Sequence, residues 1–94
     1  MIARHQQRVD HVLAALADPT RRALFELTLA QPGITSSELA DRTNTMSRWG
    51  VIKHMAVLRE AGLIQTMATG RLRRHYAERA ALDPLSEWLA RIGS

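Results

Sequence analysis

Residues 44–64, NTMSRWGVIKHMAVLREAGLI, read as one helix with a marked beginning and a marked end. Ser47 (or Thr45) can serve as N-cap, because its hydroxyl accepts a hydrogen bond from an otherwise unpaired N–H of the first turn. Gly62 stands just past the last periodic residue, where the chain turns left-handed without the penalty of a Cβ. Between them Val51, Met55, Leu58 and Gly62 recur every three or four residues and make one face. The other face carries Arg48, Trp49, Ile52, Lys53 and Arg59. Many amphipathic helices have a solvated basic face and no further role. A helix buried on one side, with arginine, lysine and an aromatic ring near its N-terminal end on the other, is also the form that enters a DNA major groove. There Arg can bond guanine O6 and N7 together. The flanking segments decide between the two readings.

Upstream, Thr35-Ser36-Ser37-Glu38 has the form of a capping box. Thr35 bonds the N–H of Glu38, and the Glu38 carboxylate returns to the backbone of Thr35. The short helix it opens, about 36–42, offers Leu39 and Ala40 to the core, and Thr43-Asn44-Thr45 is a turn. Two helices joined by so short a turn make a helix-turn-helix, which forces a steep crossing and lets the second helix project. Further back, Gln31-Pro32-Gly33 ends a helix that starts near Pro19 and turns Ala23, Leu24, Leu27 and Phe25 inward. Asp18-Pro19-Thr20 separates it from a first helix over 4–17. The residue before proline avoids helical space, whereas proline itself suits a first helical turn. In that first helix Val9, Val12, Leu13 and Leu16 share a face opposite Arg4, Gln6, Gln7, Arg8 and Asp10.

Downstream of Gly62 the period changes from 3.6 to about 2. Residues 63–67 and 72–76 read as two strands, with Thr69-Gly70 at the reversal. Arg71, Arg73 and Arg74 lie on the return strand close to the tip. A basic hairpin directly after such a helix is a wing, suited to the phosphate backbone or the minor groove. The last helix, 81–92, carries Leu82, Leu85, Trp88, Leu89 and Ile92. Asp83-Pro84 marks either its N-cap and first turn or a kink in a helix that starts earlier. The fold class expected is therefore mainly α with a small β-hairpin: four helices, the wing, and a fifth helix, in a single winged helix-turn-helix domain over 1–94.

The totals agree with a globular chain. Of 94 residues, 46% are hydrophobic and 23% charged, and thirteen basic against nine acidic residues give +4. All the basic residues except Lys53 are arginine. The excess permits a polyanionic partner, and its clustering on the helix and wing argues for one. There is no cysteine, so disulfides and thiolate metal sites are excluded. No apolar run approaches the roughly 20 residues needed to cross a bilayer. The start, MIARHQQRVD, lacks the apolar centre of a signal peptide. A cytoplasmic protein that does not enter membranes is the simplest expectation.

LADPTRRALFEL (16–27), SSELADRT (36–43), SRWGVIKHMAVLREAGLI (47–64), TGRLRRHYA (69–77) and LDPLSEWL (82–89), in this order, resemble the ArsR-type winged helix-turn-helix transcriptional regulators. The likeness covers about residues 11–90. Its most specific pieces are residues 18–22, DPTRR, together with Lys53-His54-Met55 and residues 58–63, LREAGL. It implies a homodimer joined through the first and last helices, operator DNA as ligand, and repression as the usual outcome. It also implies that the terminal helices supply the dimer interface, with Val9, Val12, Leu13, Leu85, Trp88, Leu89 and Ile92. Metal-sensing members use cysteines on the helix before the recognition helix, or His and carboxylates on the last helix. Here 36–43 has no cysteine, and the last helix has no His beside Asp83 and Glu87. The resemblance is accordingly to a branch without the cysteine metal site. Two departures stand out. The turn before the recognition helix is one residue longer than usual, and Gly50 stands where Ala is usual, at a cost of up to about 1 kcal/mol in an exposed helix.

The expected DNA contacts are Ser47, Arg48, Trp49, Ile52, Lys53 and His54 on the recognition helix and Arg71, Arg73 and Arg74 on the wing. Trp49 either meets a base edge, a thymine methyl or the sugar backbone, or packs on the preceding helix or turn. Trp88 is expected in the core or the dimer interface. His5 and His11 are six apart and share no helical face. His54 and His75 are expected to contact phosphate or backbone groups, since zinc needs three or four converging ligands and no i, i+4 pair of histidines exists. No metal and no cofactor is expected. An enzyme is not expected either: there is no glycine-rich phosphate loop, no cysteine nucleophile and no GxSxG. The alternative function is a winged helix used for protein interaction, or for architectural DNA binding without a defined operator. The sequence is silent on a small-molecule effector.

Overall fold

In a computed structural model the backbone is described for residues 4–93 and the side chains for residues 7–93. The expected facing of Arg4 and Gln6 and the His5 ring fall outside the described residues, as do residues 1–3 and 94. The order is α1 (Arg4–Ala17), α2 (Pro19–Ala30), β1 (Ile34–Thr35), α3 (Ser36–Thr43), α4 (Arg48–Glu60), β2 (Ile64–Thr69), β3 (Leu72–Ala77), a 3-10 turn (Arg79–Leu82) and α5 (Asp83–Ile92). This is the winged helix-turn-helix arrangement, with five helices and a small antiparallel sheet.

The α1–α2 corner shows what Asp18-Pro19-Thr20-Arg21-Arg22 does. Asp18 is the N-cap of α2 and accepts from the Arg21 N–H at 3.1 Å. Arg21 and Arg22 turn back to the end of α1. They donate to the carbonyls of Ala14, Ala15 and Leu16, which have no partner inside the helix. One pentapeptide thus closes one helix and opens the next.

α3 opens with both halves of the capping box in place. It ends at Asn44, which adopts φ 56°, a left-handed conformation that Asn tolerates better than other non-glycine residues. α4 ends in a Schellman arrangement. The Gly62 N–H bonds the Arg59 carbonyl, the Leu63 N–H bonds the Leu58 carbonyl, and Gly62 has φ 79°. Leu58 and Leu63, both fully buried, bracket that turn.

The sheet has a strand that hydrophobic period does not announce. Ile34 and Thr35 pair antiparallel with His75 and Arg74, giving the strand order β1-β3-β2. Thr35 thus serves as the last strand residue and as the cap of α3 at once. β2 runs two residues further toward the tip than its alternation predicts, β3 starts at Leu72 as expected, and the reversal is Gly70-Arg71 between the paired Thr69 and Leu72. Gly70 supplies the positive φ, 62°, at the first central position, as a II′ hairpin turn requires. At the other end of the chain each of the two expectations for Asp83-Pro84 holds in part: α5 begins at Asp83 with Pro84 in its first turn, but the winding starts earlier. The chain is already wound as a 3-10 turn from Arg79, and Asp83 provides no side-chain cap.

The core lies where α2, α3 and α4 meet the sheet. Leu24, Ile34, Leu39, Val51, Met55, Leu58 and Leu63 are fully buried in it. α1 and α5 pack against each other.

Candidate nucleic-acid interface

Ser47 caps α4 by accepting from the Gly50 N–H at 3.1 Å. Val51, Met55 and Leu58 bury one side of the helix. That fixes its rotation and leaves Arg48, Trp49 and Lys53 exposed on the first turns, with Ile52 half-buried between them. Trp49 is 65% exposed, so it does not pack on the preceding helix or turn. Its ring instead meets Lys53 one turn along, with the ammonium 5.6 Å from the ring centroid, within cation–π range. Gly50 also finds a reason. A Cβ there would lie 3.0 Å from Met46 Cγ, so the glycine makes room for the Met46 side chain, which packs against the core.

His54 occupies the flank of the helix. Its ring is half-buried, and Nδ1 lies 3.6 Å from the Asp18 carboxylate on the α1–α2 corner. The flank of the recognition helix thus lies beside the residue that starts α2.

The pleat divides the three wing arginines. Arg71 sits in the turn at the tip, and Arg73 lies exposed opposite Ala68, on the face that also carries Thr66 and His75. Arg74 is on the other face, half-buried, and donates to the Gly33 carbonyl at 3.0 Å. Arg74 therefore braces the wing root on the preceding loop, while Arg71 and Arg73 present cations outward.

His75 corrects an expectation. It is 1% exposed and contacts neither phosphate nor backbone through its ring. Nε2 lies 2.8 Å from Ser36 Oγ and Nδ1 lies 2.9 Å from Thr66 Oγ1. Arg59, in the last turn of α4, donates to the same Thr66 oxygen at 3.3 Å. Burial, and then the nearby Arg59 and Arg73, lower the His75 pKa to about 4, so the ring is neutral near pH 7. Strand alternation places His75 on the inner face. Its partners were not legible in the sequence, because Ser36 is 39 residues away and its hydroxyl reads first as part of a helix start.

The expected dimer residues divide as well. Val9 and Val12 are buried within the chain and belong to its own core. Leu85 and Trp88 are half-buried, and Leu13, Leu89 and Ile92 are 42%, 50% and 60% exposed. Among the described residues no three His, Asp or Glu side chains gather as a metal site would require. No helix among them is long and apolar enough to cross a membrane.

The helix-turn-helix domain family matches residues 16–66, more than half of the chain, from the end of α1 into β2. An ArsR-like transcriptional regulator from Rhodococcus sp. RHA1 superimposes with a TM-score of 0.80 at 32% identity, over 94% of this chain and 81% of that one. A second ArsR family transcriptional regulator gives 0.85 at 33% identity, over 98% and 93%. The chain belongs to the ArsR family of transcriptional regulators. HlyU from Vibrio cholerae N16961, at 21% identity and a TM-score of 0.77 over 97% of each chain, shares the fold. None of the curated proteins compared matches the chain. The ArsR family and its fold are those of DNA-binding regulators and not of enzymes. In this ArsR-family regulator the helix before α4, where metal-sensing relatives carry cysteines, has none.

Proposed function

We propose that this regulator is a homodimeric repressor. It inserts the first turns of α4 into successive major grooves of an inverted-repeat operator, about 10 bp apart. The observation that carries the reading is the exposure of Arg48, Trp49 and Lys53 at the start of a helix whose other side is locked in the core, beside outward Arg71 and Arg73. Ser47, Arg48, Trp49, Ile52 and Lys53 meet the groove, and Arg48 reads a base directly. The Trp49 ring offers an apolar surface to a thymine methyl and holds Lys53 against its face, so the two act as a unit. Arg71 and Arg73 of the wing neutralise phosphates, and Arg74 holds the wing root behind them. Of the histidines, His54 acts through Asp18 on the seating of α4 more than through contact with DNA. Leu13, Leu89 and Ile92, rimmed by Leu85 and Trp88, join two copies; two-fold dimers are the commonest soluble assembly. Repression follows from occupying promoter DNA in the cytoplasm, and the function requires neither metal nor cofactor.

The test compares two substitutions on a panel of duplexes. Arg48→Ala is expected to relax sequence preference by about 1–3 kcal/mol per half-site. Arg73→Ala is expected to weaken binding to all sequences alike and to flatten the salt dependence. Unchanged preference in the first variant removes Arg48 from base readout.

A further inference from the structure

The hairpin beyond Thr66 and His75 has little to hold it. Met67, Ala68, Thr69, Gly70, Arg71, Leu72 and Arg73 are all exposed, and a two-stranded hairpin alone is at best marginally stable in water. Its direction is set at its root, and the root is polar. The Thr66↔His75 pair is the last row of the wing that carries a fully buried side chain. From that row hydrogen bonds leave in two directions. His75 Nε2 meets Ser36, the first residue of α3, at 2.8 Å, and Thr66 Oγ1 accepts from Arg59 of α4 at 3.3 Å. α3 is thus joined to the wing through the imidazole and α4 through the Thr66 hydroxyl, and the two links meet in the Thr66–His75 bond.

We infer that His75 is a positioning residue for DNA binding: with Ser36, Thr66 and Arg59 it fixes the angle at which the wing stands beside the recognition helix. The inference rests on the proposed contact between wing arginines and DNA. Its physical basis is direction. A buried apolar residue at 75 would fill the space, but apolar contact tolerates sliding, whereas hydrogen bonds weaken steeply once misaligned. The ring uses both nitrogens, one donating and one accepting: the Thr66 bond holds the two strands together, so that rotating the wing as a unit breaks the two bonds that leave it, His75 to Ser36 and Arg59 to Thr66. The lever amplifies small errors. From His75 to Arg71 the strand spans about 13 Å, so a tilt of about 10° at the root carries the tip about 2 Å, enough to lift a guanidinium off a phosphate. The neutral ring avoids placing a third cation between Arg59 and Arg73.

The test uses the full chain and a random-sequence duplex of about 30 bp, titrated over a salt series. Thr66→Val keeps the side-chain shape and removes the hydroxyl; Ser36→Ala does the same on the other side of the ring. Thermal unfolding checks that each variant is folded, and either one suffices. Each is made in the native chain and in a chain carrying Arg71→Ala and Arg73→Ala. In the native chain each is expected to weaken binding about fivefold and to lower the salt slope, because phosphate contacts are lost. In the wing-arginine background it is expected to cause no further loss, because the contacts it positions are already gone. Equal losses in both backgrounds, or unchanged affinity in the native chain, overturn the inference alone. If Arg71→Ala with Arg73→Ala leaves affinity unchanged, the wing reading falls, and this inference with it.

Discussion

Arg73 and Arg74 are neighbours in sequence with different surroundings, because successive residues of a strand face opposite ways. Arg74→Ala removes a hydrogen bond to the Gly33 carbonyl and is expected to lower stability by about 1 kcal/mol, measured by urea unfolding, with less effect on salt dependence than Arg73→Ala. His75 makes a sharper prediction. Its folded pKa, about 4, lies below the ordinary 6.5. Between these values the unfolded chain binds a proton that the folded chain does not, so stability falls as the pH is lowered from 6.5 toward 4. The loss is on the order of 3 kcal/mol, complete below pH 4, and absent above about pH 6.5. Unfolding free energies of the native chain and of His75→Gln across this range are expected to diverge, with the variant losing that part of the slope. The residue scale was also the least legible in sequence. Charge clustering pointed to the three wing arginines together, but it does not say which of them a backbone carbonyl has engaged. A lone His in a strand gives no sign of two hydroxyl partners from distant segments.

At the scale of elements, local chemistry announced most of the architecture. The Thr35–Glu38 capping box, the Asp18-Pro19 break and Gly62 each fix a boundary through bonds within a few residues, so sequence spacing is enough to see them. β1 was hidden because a two-residue strand has no period, and its partner β3 lies some 40 residues on. The Pro84 region was ambiguous because a 3-10 turn running into an α-helix satisfies both readings of Asp83-Pro84. The Schellman turn after α4 sets where the recognition helix stops and the wing begins. A Cβ at Gly62 would meet nothing within 4 Å, so Gly62→Ala acts through the left-handed backbone alone. It is expected to cost about 1–2 kcal/mol in unfolding free energy. Ser47→Ala, which leaves the Gly50 N–H without its acceptor, is expected to cost about 1 kcal/mol and to fray the turn that carries Arg48 and Trp49.

For the whole molecule two sets of exposed side chains differ in character. The wing and the start of α4 present cations, while α1 and α5 leave Leu13, Leu89 and Ile92 exposed. Two copies joined through these apolar side chains would place two recognition helices at a fixed separation, and the affinity of each half-site would reinforce the other. Leu89→Glu with Ile92→Glu is expected to yield a monomer by sedimentation, with the fold intact and affinity for a two-half-site duplex reduced to that for one half-site. Apolar faces on the first and last helices could be seen in the sequence. How much of each face the chain covers by itself could not, because Val9 and Val12 differ from Leu13 only in what packs on them. Whether a dimer of this chain reads a defined operator through α4 is decided by selection of bound duplexes from a random DNA pool at roughly physiological salt. The expected result is an inverted repeat with half-sites about one helical turn apart. Recovery of no motif, with weak and salt-labile binding, would contradict it and leave an architectural DNA binder or a protein-interaction module.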